Sequence, residues 1–336
     1  MKRCYIILLL CTLISIEIFS QIREKRHYYA YAEKIFLSEI DDKMMISCAA
    51  ASHNSEGITG IAPYCKVMPV RIFNSNGSAI SASGLVDAIN FAKNNGAHVI
   101  SNSWGYDSDN PNYIPAIKDA IADATTNGRG GKGSVVVFSA GNTAVHSSGN
   151  NGFVCFPSNV EVEGVLPVGA SDRYDQQADY SPTSNTDSSY NQIIDIVAPS
   201  HRAYSCNISM ETLEAWTIDV HGDAGYNRWK NTESCYSPLS GTVFPNSGTN
   251  HPAYTGYFGG TSCSCPEVAA VAALMLSMNP ELTQQDVFNI INSTARKAGG
   301  YSYQITAGIS NGTWNAQMGH GVLDAYAAVR DVCPAV

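Results

Sequence analysis

Grouped positive charge is missing from this chain. Lysines and arginines number 20 against 29 aspartates and glutamates, a formal net charge of −9, and the only basic stretch, Arg23 to Arg26, is short and lies beside the N-terminal leader. Phosphate backbones are held by clustered cations, so this balance excludes a nucleic-acid partner. There is no C-x-x-C pair and no cluster of cysteine with histidine, which excludes a structural zinc site of that kind. Internal repeats and low-complexity tracts are absent as well, which leaves an ordinary globular chain and not a stacked array.

What is present is 336 residues, enough for one large α/β domain with a sizeable core. The chain opens on MKRCYIILLLCTLISIEIFSQ, a basic start and an apolar run ending near a small residue at Ser20. That order predicts a secretory signal peptide over residues 1–20 and therefore export. The run is shorter than the roughly 20 uninterrupted apolar residues of a membrane span, so no membrane association is expected after cleavage. A lipoprotein signal at Cys11 is disfavoured, because Leu10 stands where a small residue is usual. Cleavage removes Cys4 and Cys11 and leaves Cys48, Cys65, Cys155, Cys206, Cys235, Cys263, Cys265 and Cys333, some of which could pair in an oxidising compartment. Cys263 and Cys265, two apart on one expected helix, diverge and should not bond each other.

From Ile58 onward short apolar strands alternate with longer amphipathic runs, the pattern of a parallel sheet with crossover helices. KVMPVRIF, AHVISNSWG, GSVVVFSAGN, GVLPVGASD and IIDIVAPS read as strands, and ASGLVDAINFAKNNG and NYIPAIKDAIADATTNG as helices between them. Two further helices are expected at Ser262–Met278 and Thr283–Ala298, separated by the stop signal NPELT. Between Ser200 and Thr255 the composition turns to Trp, Tyr, Asn, Ser, Gly and Cys without a clear period, which reads as a long surface loop region. The expected fold is a doubly wound α/β sheet.

Reactive groups of such sheets gather at the carboxyl ends of the strands. VVVFSAGN finishes on Asn142, whose amide could donate to a developing oxyanion. The Gly-Gly-Thr-Ser turn puts Ser262 at a helix N-terminus, where free N–H groups and the helix dipole favour negative charge. Taken singly each has a plainer reading, Asn142 as a turn residue after Gly141 and Ser262 as a helix N-cap.

Together, in order, these stretches resemble the subtilisin-like serine proteases, the subtilase family. GTSCSCPEVAAVAAL resembles that family's Gly-Thr-Ser-x-Ala-x-Pro motif, with Ser264 where alanine is usual and Glu267 where histidine is common; SAGN, GITGIAPYCKVMPVRIF, HVISNSWG and GHGVLDAYAAV resemble four further family segments. The resemblance implies Ser262 as nucleophile and Asn142 as oxyanion donor. It implies a substrate cleft between Ser103, Trp104 and Gly105 on one side and Ala140, Gly141 and Asn142 on the other, with an extended peptide lying between them as an added strand. Protein or peptide substrates, a monomer and no required cofactor are expected, with calcium an option at Asp107, Asp109 and Asn110.

The family's aspartate strand and its His-Gly-Thr turn have no counterpart in the sequence. Where His-Gly-Thr should fall stand Ile40 to Lys43, and Ala32-Glu33-Lys34 and its apolar flanks resemble the opening of a pro-region. Residues 21–46 are therefore expected to be a pro-region remnant, joined by an internal deletion to an incomplete peptidase domain over residues 47–333. Such a chain should lack its N-terminal strands, and loss of a central strand opens a gap of about 9–10 Å. A serine without a base is a weak nucleophile. The expected function is an exported serine endopeptidase of impaired activity. The alternatives are a peptide-binding pseudoprotease and a hydrolase with a rearranged base such as His146 or His320; His53 and His221 read as loop residues.

Overall fold

The structure, a computed structural model, describes residues 5–10, 59–73, 79–106, 114–144, 152–158, 164–186, 192–201, 215–218 and 254–332. In chain order the strands are β1 (Tyr5–Leu10), β2 (Lys66–Arg71), β3 (Val99–Asn102), β4 (Val135–Ser139), β5 (Val165–Ser171), β6 (Ile196–Pro199), β7 (Ala215–Ile218) and β8 (Tyr254–Phe258). The helices are α1 (Ala82–Asn94), α2 (Pro115–Gly131), α3 (Thr261–Met278), α4 (Gln284–Thr294) and α5 (Ala325–Asp331). Strands β1 to β6 form one sheet in the order β2-β1-β3-β4-β5-β6, and every neighbouring pair is parallel.

Alternate residues of each strand point to opposite faces, and the sheet is covered on both. Ile100, Val136, Phe138 and Val165 pack with Leu85, Ala88 and Ile89 of α1 and Ile117, Ala120 and Ile121 of α2. On the other face Val99, Val135, Val137, Leu166, Val168 and Ile196 meet α3, with Val287, Phe288 and Ile291 of α4 and Ala328 of α5 in the same cluster. The result is the expected doubly wound α/β fold. Helix α3 is long and apolar enough to cross a membrane, yet its middle, from Val268 to Ala273, is fully buried on all sides, as in the core helix of a layered protein.

Local signals set the helix ends. Ser81 accepts from the Gly84 N–H at 3.2 Å to open α1, and Thr283 and Asp286 form a reciprocal capping box at the start of α4, which satisfies two of its free N–H groups. Helical backbone geometry in α2 breaks at Gly128, Arg129 and Gly130. The Arg129 guanidinium then donates to Gly133 O, Pro280 O and Leu282 O, tying the end of α2 to the connection between α3 and α4.

Four expectations need correction. The central gap is not open, and the sheet does not lack an N-terminal strand: Tyr5–Leu10, read as part of the leader, pairs with β2 on one side and β3 on the other. The stretch read as a surface loop contains β7, which pairs antiparallel with β8. Helix α3 begins one residue earlier, at Thr261, and α4 stops at Thr294 because Ala295 turns extended and Arg296 pairs with Val322. Asp107, Asp109, Asn110, Cys48, Cys206, Cys235, Cys333 and residues 21–46 lie outside the described residues.

Thr283→Ala removes one half of the capping box and should destabilise the protein by about 1 kcal/mol, whereas Thr283→Ser should retain most of that amount. The midpoint of urea unfolding, at unchanged m-value, measures both.

Candidate active site

The site is built on the first turn of α3. Gly260 precedes the helix with φ 76° and ψ 175° and caps it without a side-chain bond, a backbone geometry open only to glycine. Ser262 is therefore the second helical residue and not the N-cap. Its hydroxyl makes no hydrogen bond to any described residue, while its backbone N–H is one of the first four, which lack an intrahelical acceptor.

Pro266 lies inside the helix, four residues after Ser262, and has no N–H to give to the Ser262 carbonyl. The hydroxyl of Ser103 supplies that bond instead, at 3.0 Å. Ser103 follows directly on β3, so the serine turn is tied to that strand's carboxyl end. Cys265 adds weaker thiol contacts to the same end, with its Sγ 3.4 Å from Asn102 O and 3.6 Å from Ser101 Oγ. Ser264 ties the turn to β6, donating to Ala198 O at 2.8 Å.

Asn142 ties it to β4. The Thr261 N–H donates to Asn142 Oδ1 at 3.0 Å, and the Thr261 hydroxyl lies 3.0 Å from Asn142 Oδ1 and 3.1 Å from Gly141 O. The Gly141 N–H donates back to Thr261 Oγ1 at 3.2 Å. With its carbonyl oxygen turned into the helix start, the amide leaves Nδ2 as the free donor of an exposed side chain. The structure thus brings Asn142 to the residue before Ser262.

The residues expected to line the cleft differ in exposure. Gly105 is exposed, and a Cβ there would lie 2.8 Å from Phe156 O and 3.3 Å from Cys155 Cβ. A Cβ at Gly141 would collide with Cys155 Sγ, so both walls converge on one buried cysteine that no motif pointed to. Ala140 is fully buried. Trp104 is only 7 % exposed: its ring packs edge-on to Phe138 at 5.2 Å and its Nε1–H donates to Asn102 Oδ1 at 3.1 Å. Its side chain is committed to the core, so what it presents at the end of β3 is backbone. No disulfide joins Cys65, Cys155, Cys263 and Cys265 to one another.

His201 was not anticipated from sequence. It is 1 % exposed, its ring lies 4.8 Å from that of Tyr180, and its Nδ1 accepts from the Gly260 N–H at 3.2 Å. The neighbouring Ser200 hydroxyl lies 3.0 Å from Gly260 O. Burial pushes the His201 imidazole down to about 4, so it is neutral, with its proton on Nε2. Through its bond from the Gly260 N–H it positions the glycine turn. His320 is equally buried and held at about 4 by burial; its ring Nδ1 lies 3.3 Å from Thr313 O and its backbone N–H donates to Asp195 O, and no hydrogen bond joins it to Ser262. His53, His146 and His221 lie outside the described residues.

Glu267, also on α3, is pushed up to about 8 by burial, with the Cys263 thiol 3.8 Å away. A raised carboxyl keeps its proton in the folded state while the unfolded chain gives its proton up above the ordinary carboxylate range, so folding stability falls between about pH 4.5 and 8. Glu267→Gln removes this dependence; its stability advantage over the parent should grow across that window to a few kcal/mol, read from unfolding midpoints at a series of pH values. Ser103→Ala leaves the Ser262 carbonyl without a donor and should cost about 1–2 kcal/mol in chemical denaturation.

The profile of the subtilase family matches residues 44–321. Among curated relatives, a calcium-dependent protease of Nostoc sp. is 32 % identical over 86 % of this chain and 40 % of its own length, and subtilisin DY of Bacillus licheniformis is 28 % identical over 76 % and 69 %. The chain thus spans less than half of the Nostoc protein. A serine protease of Aeromonas sobria, solved with its chaperone, superposes with a TM-score of 0.72 at 17 % identity, covering 98 % of this chain and 60 % of that one. Fervidolysin from Fervidobacterium pennivorans does so at 0.58 and 23 %, covering 86 % and 35 %. At such identities the superpositions speak for the fold alone, an α/β parallel sheet of subtilisin-like type. With a family profile covering most of its length and its turn, helix and strand ends assembled as described, this chain belongs to the subtilase family of serine proteases.

Proposed function

We propose that this chain is an exported serine endopeptidase of impaired turnover, acting on proteins or peptides. In this reading Ser262 attacks the peptide carbonyl, and the oxyanion that forms is received by the Asn142 amide Nδ2 and the Ser262 backbone N–H. The observation that supports it best is the Thr261 lock on Asn142 Oδ1, which turns the donor end of the amide outward before any substrate arrives. A donor held this way needs no reorganisation during reaction, and removing such an asparagine lowered turnover roughly 10²–10³-fold where it was measured, in a subtilisin.

Impairment is inferred from the sequence, which carries no His-Gly-Thr turn and no aspartate strand of the family pattern. An alcohol without a general base is protonated and slow at neutral pH, and loss of the serine or the histidine in a subtilisin lowers turnover roughly 10⁶-fold. Export rests on the leader composition of residues 1–20. Calcium is named for the Nostoc relative, and Asp107, Asp109 and Asn110 would be its donors here. A second reading, a peptide-binding pseudoprotease, is favoured by the exposed Gly105 and the tethered Asn142, which leave the cleft edges in place without requiring a base.

Hydrolysis of a fluorogenic peptide set by the full-length chain should not exceed that of its Ser262→Ala variant at any pH from 6 to 10. Turnover that disappears with Ser262→Ala, together with fluorophosphonate labelling of Ser262, overturns the impaired reading in favour of a working triad.

A further inference from the structure

The parallel sheet has a strand-shaped slot between β2 and β3, and its filling is the feature the catalytic reading does not use. Among the described residues, β2 has only β1 as a neighbour in the sheet. All six residues of β1 pair with β2 in unbroken parallel register, from Tyr5 with Lys66 to Leu10 with Arg71, and Ile6, Ile7 and Leu8 pair with Val99, Ile100 and Ser101 of β3. Without β1 the facing edges of β2 and β3 stand about 9–10 Å apart, twice the interstrand spacing. Too wide for direct pairing, that gap strands the backbone N–H and C=O groups of two strands at once. β2 and β3 each face both clusters, Val70 and Ile100 lying in the one under α1 and α2 while Val99 lies in, and Val67 packs against, the one under α3, so the slot also lies between the two halves of the core.

A strand that fills such a position is paired on both edges and covered on both faces, and strands of that kind are near-continuous apolar runs. The sequence YIILLL has no charge, no proline and no glycine. Among the described residues it is the one strand that precedes β2, and it joins the sheet in the direction of all five other strands.

We infer that the slot between β2 and β3 is a strand-acceptor site whose occupant in this chain is Tyr5–Leu10. The apolar core of the leader is thereby a structural strand of the folded protein. Two fates of the same residues exclude one another. A chain cut after Ser20 has lost the occupant, and its slot is open; a chain that has folded with β1 in place holds its leader within the sheet. Folding in cis and removal of the leader are competing events, and the completed sheet is a property of the uncut chain. This holds whether or not Ser262 turns over substrate.

The test uses the full-length chain carrying Ile7→Pro, Ile7→Val or, as a control beyond the strand, Ser15→Pro. Proline at position 7 removes a ladder donor and is not tolerated in a central strand, while valine preserves β preference and shape. Hydrogen exchange followed by mass spectrometry should show amides of Lys66–Arg71 and Val99–Asn102 exchanging at least tenfold faster in Ile7→Pro than in Ile7→Val, with Ser15→Pro matching the parent. Failure of Ile7→Pro to fold while Ile7→Val folds supports the proposal equally. If Ile7→Pro and Ile7→Val exchange alike at both strands, or if Ser15→Pro has the same effect as Ile7→Pro, Tyr5–Leu10 does not fill the slot and the proposal fails.

Discussion

A proline four residues past a serine leaves that serine's carbonyl without its helical partner, and the cleft end of the molecule is organised around supplying one. Ser103 provides the missing donor from the end of β3. Once that bond is made, the first turn of α3 is fixed against a strand and cannot slide along its axis. Thr261 and Ser264 add links to the segment after β4 and to the end of β6, so three separate strands converge on four consecutive residues. The register of the sheet is therefore transmitted to the serine turn by short bonds, each to a strand end or the residues that follow it.

The electrical character of this turn follows from its burial. His201 is uncharged beneath it, and Glu267 is protonated on the helix that follows at neutral pH, both because desolvation disfavours their charged forms. The positive end of the α3 dipole thus has no carboxylate in its first turn to offset it, and the field at the free N–H groups is available to a developing anion.

Much of the fold was legible because buried parallel strands announce themselves as apolar runs between turn residues, and VVVFS and VLPVGAS are such runs. The same property leaves one segment with two roles: YIILLL has the composition both of a signal peptide's apolar core and of a central strand, and its pairing with Lys66–Arg71 and Val99–Ser101 adds the strand role, which composition alone does not announce. β7 was hidden because its partner, β8, lies far downstream, across a stretch without period. The end of α4 was misjudged because the backbone pairing of Arg296 with Val322 overrides helix preference at Ala295. At the candidate site, Ser262 and Asn142 stand in motifs that the sequence shows. Cys155, His201 and the shielding of Trp104 had no local signal, since each acts through contact with residues distant in sequence.

Gly259 and His201 illustrate a different consequence of close packing. A Cβ on Gly259 would overlap His201 Nδ1, while the same nitrogen holds the Gly260 N–H. Neither position can drift alone: a larger residue at 259 has no room while the imidazole stays, and a smaller residue at 201 abandons a buried amide. The room that glycine leaves at 259 is thus the room in which the imidazole acts as acceptor, and the two residues occupy one shared volume.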